Sequence, residues 1–239
     1  MSLDTRLVVV SCPRRAPIQQ IWWDCFKRSW PDCPLPVTVL SPEIDFGWNA
    51  NLRQCLDTLT EELILLMLDD NFLEPLPSGE MTAGIFRVAE LMTTHPDIAM
   101  VKLQAGAAHA PELEFPDWDR IREYDRAHHP FKRTNLVPTL YRRTWLHRLS
   151  SAVLSEIGPA RDVGRNGAIE FEMTGTLLTM NTENWPERMM GVHRPLPGGN
   201  GGDSFLTCLA NDAVLEGRMR PIDVLQNLCV GVPGIEAFL

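Results

Sequence analysis

The apolar residues of this chain fall into two rhythms that alternate over roughly its first hundred positions. Residues 7–11, Leu-Val-Val-Val-Ser, form a short β-branched run stopped by Pro13, the pattern of a buried strand. Ile18, Ile21, Trp22, Cys25, Phe26 and Ser29 then recur at helical spacing, which puts them on one face of a helix that Pro31 closes. Val37 to Leu40 reads as a second strand, halted by Ser41 and Pro42. Trp48, Leu52, Cys55, Leu56 and Leu59 mark a second helical face, and Glu61 and Glu62 separate it from residues 63–68, which are apolar at every position. A strand with no polar face must be covered on both sides. That is the situation of a central strand in a largely parallel sheet with helices above and below it. A third helix is expected after Pro77, with Ser78 as its cap, because Met81, Ile85, Val88, Ala89 and Met92 share a face. His95 and Pro96 end it, and residues 98–103 follow as another strand.

The rhythm stops at Gln104. Residues 104–135 hold prolines, acids and isolated aromatics without a regular period, the composition of a long functional loop or lid. Beyond them a strand is expected over 136–140, and Trp145, Leu146, Leu149 and Val153 share a helical face. A second loop at 158–167 leads into a helix over 168–180, and residues 189–193 read as a short strand. Pro195, Pro197, Gly198, Gly199, Gly201 and Gly202 make a loop, and residues 204–216 look helical. No repeat or linker divides the chain. One α/β domain is therefore expected over residues 1–239, with a first half up to residue 103 and a second half built around the irregular segment.

Composition narrows the class without naming it. With 239 residues, 44% of them apolar, the chain can bury a sizeable core. Its longest apolar run, residues 63–68, falls far short of the ~20 residues that cross a bilayer. Residues 1–11 carry neither a basic leader nor a small-residue cleavage site, so a cytoplasmic location is expected. Cys12, Cys25, Cys33, Cys55, Cys208 and Cys229 include no C-x-x-C pair and read as reduced, mostly buried thiols. A net charge of −9 disfavours a broad nucleic-acid-binding surface. The group Arg120, Arg122, Arg126, His128, His129, Lys132 and Arg133 reads as a solvated face, and is the one local hint of a polyanion groove.

The most informative stretch is residues 63–68 followed by Asp69, Asp70, Asn71 and Phe72. It sets two carboxylates and an amide at the carboxyl end of a central strand, where open α/β sheets bind ligands. Carboxylates there can hold a divalent cation, and the cation can neutralise a diphosphate. The same residues also suit a solvated turn or a helix cap.

The block from Trp48 to Leu73 resembles the acidic-motif region of GT-A glycosyltransferases. The residues that carry the likeness are Trp48, Asn51-Leu52, Thr60-Glu61, Leu65-Leu66-Met67-Leu68-Asp69-Asp70 and Phe72-Leu73. It is most similar to a bacterial branch whose motif runs L-D-D-x-F-L. Pro138, Leu140 and Trp145, and the run Ala168-Ile169-Glu170-Phe171-Glu172, resemble later segments of that family. The resemblance implies a GT-A-like, Rossmann-like fold and a nucleotide-sugar donor, with a UDP-sugar the first choice. It also implies Mn²⁺ or Mg²⁺ as cofactor, Asp69 facing the nucleotide, and Asp70 and Asn71 on the metal side. Asn71 stands where the commonest motif has a second Asp, which departs from the usual metal clamp.

Glu172, with Glu170 as runner-up, is the general-base candidate, because a carboxylate near a helix start can be aimed into the crevice to take the acceptor's hydroxyl proton. Acids at a helix N-terminus also occur simply to complement its dipole. His193 is a candidate third metal ligand or diphosphate contact. Gly199 lies in a run whose backbone N–H groups can approach phosphates, although no Walker-A lysine follows. Arg14 and Arg15 follow the first strand as candidate phosphate contacts, and exposure to solvent accounts for them as well. Trp22 and Trp23 suit core packing better than base stacking.

The expected reaction is glycosyl transfer to a hydroxyl acceptor, with inversion favoured. The acceptor class is open among saccharide, protein, small molecule and modified nucleic acid. Two rivals stand beside it. A nucleotidyltransferase would place a glycine- and base-rich loop after the first strand, and Ser11-Cys12-Pro13-Arg14-Arg15 has no glycine. A non-catalytic binding or scaffold protein on the same fold would tolerate Asn71.

Overall fold

Strand β3 (Leu63–Leu68) is the spine of the molecule, and its residues sort by parity into two separate cores. Leu63, Leu65 and Met67 pack with Leu7 and Val9 of β1 (Thr5–Val10) beneath α1 (Ala16–Ser29) and α3 (Glu80–Thr94). Ile64 and Leu66 pack with Val8 and Val10 against α2 (Trp48–Thr58) and α4 (Arg143–Ile157). The uninterrupted apolar run thus has a helix pair on each face, as expected. The computed structural model describes residues 4–11, 16–41, 47–69, 71–73, 79–103, 112–114, 121–124, 136–157, 171–172, 175, 178–179, 183–192, 208–210, 214–215, 218–219 and 230–233.

The remaining strands are β2 (Val37–Leu40), β4 (Phe72–Leu73), β5 (Ile98–Lys102), β6 (Glu112–Glu114), β7 (Ile121–Tyr124), β8 (Thr139–Arg142), β9 (Arg188–Val192), β10 (Cys208–Ala210), β11 (Val214–Leu215) and β12 (Arg218–Met219). Eight strands, β1 and β3 among them, form one sheet in the order β2-β1-β3-β8-β5-β9-β7-β6. Six run in the direction of β1, and only β8 and β7 oppose it, so the sheet is mostly parallel by strand direction. β8 enters antiparallel in the gap between β3 and β5. Among the described residues no helix is long and apolar enough to cross a membrane.

The first half follows its sequence pattern closely, and the second half departs from it in definite places. The segment expected to be irregular, residues 104–135, contributes β6 and β7, a pair that extends the sheet through β9, with Ile121 fully buried. The strand expected over 136–140 begins later, at Thr139, because Pro138 cannot donate to the ladder; its carbonyl instead receives the Leu103 N–H. The helix expected over 204–216 is replaced, among the described residues, by β10, which pairs with β4, and by the β11–β12 pair. β4 offers an open edge, and pairing to it satisfies backbone groups that local periodicity does not count. In the helix expected over 168–180, Phe171, Glu172, Gly175 and Leu178 are helical.

Two helix starts rest on glycine. α2 follows Gly47 at φ 102°, and α3 follows Gly79 at φ 82°, values that favour a residue without Cβ. Gly79 therefore takes the cap position expected of Ser78, which lies outside the described residues. Cys25, Cys33 and Cys55 form no disulfide; burial pushes Cys33 up to about 11 and raises Cys55 as well.

Candidate functional site

The order of the sheet reverses at β1. The chain leaves β1 through α1 to reach β2 on one side, then returns through α2 to β3 on the other. α1 and α2 lie on opposite faces, so the carboxyl ends of β1 and β3 form the switch point, the place where doubly wound sheets bind ligands.

Asp69 stands at that point. Its N–H donates to the Val10 carbonyl at 3.1 Å and carries the β1–β3 ladder one residue past β3. Its side chain is almost wholly buried, and Oδ2 accepts the Ser11 hydroxyl proton at 2.5 Å. Asn71 closes the turn. Its N–H donates to the Leu68 carbonyl at 3.0 Å, and its Oδ1 accepts the Leu68 N–H at 2.9 Å. From the α1 side the Trp22 indole N–H donates to the Asn71 carbonyl at 2.9 Å, and the Ser29 hydroxyl donates to the Leu73 carbonyl at 2.8 Å. The acidic turn is thus clamped from both sides, and the buried Trp22 serves as core and as clamp.

Glu172 reaches the same edge of the sheet from the other face. β8 begins opposite Leu66 and Lys102, so the residues just before it leave over the carboxyl ends of β3 and β5. There the Leu136 N–H donates to Glu172 Oε1. The neighbouring Phe171 packs on Trp48, the first residue of α2, with ring centroids 4.8 Å apart. Burial holds the Tyr141 phenol above its ordinary value; the nearby Thr139 hydroxyl opposes the shift, and the Glu172 charge adds to it.

Asp69, Asn71 and Glu172 therefore share the carboxyl edge of the sheet, the first two on the turn between β3 and β4 and the third beside the start of β8. Asp70, Arg14, Arg15, Glu170, His193 and Gly199 lie outside the described residues. A divalent ion takes several oxygen ligands, and the two described members of the acidic motif are already engaged at Asp69 Oδ2 and Asn71 Oδ1. These two residues alone do not make up the donor set of such an ion.

Two residues at this edge were not singled out by sequence. Ser11 is visible only through its bond to a carboxylate 58 positions away. Lys102, 4% exposed, ends a strand that is otherwise apolar. Its signal in the sequence was the single cation in Ile-Ala-Met-Val-Lys-Leu, since a buried lysine is costly unless its charge is compensated.

Fold and edge together define a doubly wound α/β protein with an aspartate-bearing turn, Asp69 to Asn71, at its switch point. No family model matches the chain, and no curated protein matches it. Among solved structures it is similar to S. aureus TarS, residues 1–349, at 11% identity and a TM-score of 0.41, covering 80% of this chain and 57% of that one. It is similar to a UDP-glucose pyrophosphorylase complexed with UDP-glucose at 11% identity and a TM-score of 0.40, covering 79% and 73%. It is also similar to the mannosyl-3-phosphoglycerate synthase from Rubrobacter xylanophilus at 11% identity and a TM-score of 0.38, covering 77% and 76%. Likeness at this level leaves the chemistry to the chain's own residues.

Proposed function

We propose that this chain is a GT-A-like glycosyltransferase that moves a sugar from a nucleotide-sugar, with UDP-sugars the first donors to test, to a hydroxyl acceptor. The observation that carries the reading is the buried Asp69 on a clamped turn at the switch point, with a second carboxylate, Glu172, at the same edge of the sheet. Asp69 contacts the nucleotide, and Arg14 or Arg15 the diphosphate. Asp70, with help from His193, would hold Mn²⁺ or Mg²⁺, which would supply positive charge to stabilise the leaving diphosphate.

Glu172 acts as the base. The Leu136 N–H on Oε1 orients the carboxylate, and Oε2 takes the proton as the acceptor oxygen bonds to the anomeric carbon. The bond that breaks is the one to the diphosphate, whose leaving charge needs cationic or N–H stabilisation. Glu172→Gln keeps the acceptor for the Leu136 N–H and removes the base. Transfer is expected to fall by about 100-fold or more with donor binding unchanged. A Gln variant that transfers sugar at the wild-type rate removes Glu172 from the mechanism.

A further inference from the structure

We propose that Ser11 is a positioning residue for donor binding, which locks the Asp69 carboxylate across the carboxyl ends of β1 and β3; this rests on the reading of Asp69 as the nucleotide contact. Ser11 is the first residue beyond β1. Its N–H donates to the Leu40 carbonyl of β2 at 2.8 Å, while its hydroxyl reaches Asp69 Oδ2 beyond β3 at 2.5 Å. One residue therefore ties together the ends of three adjacent strands at the switch point.

The chemistry of this bond separates it from ordinary structural serines. Thr139 and Ser150 are also buried and donate to backbone carbonyls, those of Val137 and His147. Ser11 instead gives its proton to a carboxylate, and its length is that of a charge-assisted O–H···O⁻ bond. Such a bond has direction as well as strength. With the Asp69 N–H fixed on Val10 and Oδ2 fixed on Ser11, the carboxylate plane has little freedom to rotate, and Oδ1 keeps one orientation. A contact set in advance costs less ordering when the nucleotide arrives.

The test compares Ser11→Ala, Ser11→Thr and Ser150→Ala with wild type. UDP affinity is read by calorimetry, KM and kcat from donor turnover, and melting temperature on the same samples. GDP, CDP or ADP replaces UDP should the wild type prefer it. Ser11→Ala is expected to weaken nucleotide binding and raise KM by about 10-fold, with kcat within about twofold. Ser11→Thr, which keeps the hydroxyl, restores most of the affinity. Ser150→Ala, which removes a buried hydroxyl bond to the His147 carbonyl within α4, lowers the melting temperature and leaves affinity alone. Should Ser11→Ala fail to fold, Ser11→Cys keeps the volume with a weaker donor and gives the same comparison. Wild-type affinity in a Ser11→Ala protein that is merely less stable, as Ser150→Ala is, overturns the assignment of Ser11. A wild-type chain that binds no nucleotide overturns the glycosyltransferase reading, and the role of Ser11 with it.

Discussion

The carboxamide of Asn71 shows how a single side chain keeps the acidic turn in shape. It is 2% exposed, and its Oδ1 is the acceptor for the Leu68 N–H at the end of the central strand. Asn71→Ala leaves that partly buried donor without its partner and is expected to cost about 1 kcal/mol in urea unfolding, measured without ligand. Asn71→Asp retains an acceptor at the same place and is expected to lose less. Equal stability of the Ala variant and the wild type would remove the clamp from the account. Asp69 was legible in the sequence as an acid following an apolar run, and Glu172 as an acid near an expected helix start. Ser11 was not, because its partner is 58 positions away and neither pattern nor spacing joins them. The role expected of Asn71 came from the resemblance, whereas its bond to Leu68 depends on the shape of the turn.

At the scale of elements, the two edges of the sheet are built for different purposes. The amino edge is tied by ion pairs. Arg6 of β1 donates to Glu61 Oε1 through Nε at 2.8 Å and Nη2 at 2.6 Å, and Nη1 reaches the Thr38 hydroxyl of β2 at 3.1 Å. Arg142 of β8 pairs with Glu62 and also donates to the Met92 carbonyl at the end of α3. The hydrogen bond from Arg6 holds the Glu61 carboxyl below its ordinary value, with burial opposing and further backbone hydrogen bonds assisting. A carboxylate whose folded value is depressed contributes stability above its unfolded value near 4.5, and loses it as pH falls through the lower folded value. Glu61→Gln is therefore expected to lower stability by about 1 kcal/mol at neutral pH, with the gap to wild type closing below pH ~4. A gap that stays constant down to pH ~2 contradicts the pairing.

The same scale explains where element prediction succeeded. Val37–Leu40 and Leu63–Leu68 are set by their own apolar runs, and both appear at the expected positions. β10, β6 and β7 owe their conformation to partners, β4 and β9, that no local period reveals. Pro138 moved the start of β8 through its missing N–H, a signal the sequence did contain.

For the molecule as a whole, the helices fall in pairs on the two faces, ion pairs gather at the amino edge, and Ser11, Asp69, Asn71, Lys102 and Glu172 gather at the carboxyl edge. That polarity is what a strand that is apolar throughout, with acids at one end, implies once helices cover both faces. The order of the sheet, with β8 reversed in the centre, was beyond the sequence, because it depends on which strands fill a gap rather than on where strands occur. The central claim is that this edge takes a nucleotide-sugar and releases its sugar. The most direct test incubates the wild-type chain with UDP-, GDP-, CDP- and ADP-sugars and divalent cation, and follows nucleoside diphosphate release together with the shift in melting temperature. The account predicts that one donor class raises the melting temperature and is slowly hydrolysed to free sugar and its nucleoside diphosphate. A chain that turns over none of them and is stabilised by none, or that forms a nucleoside triphosphate when pyrophosphate is added, contradicts it.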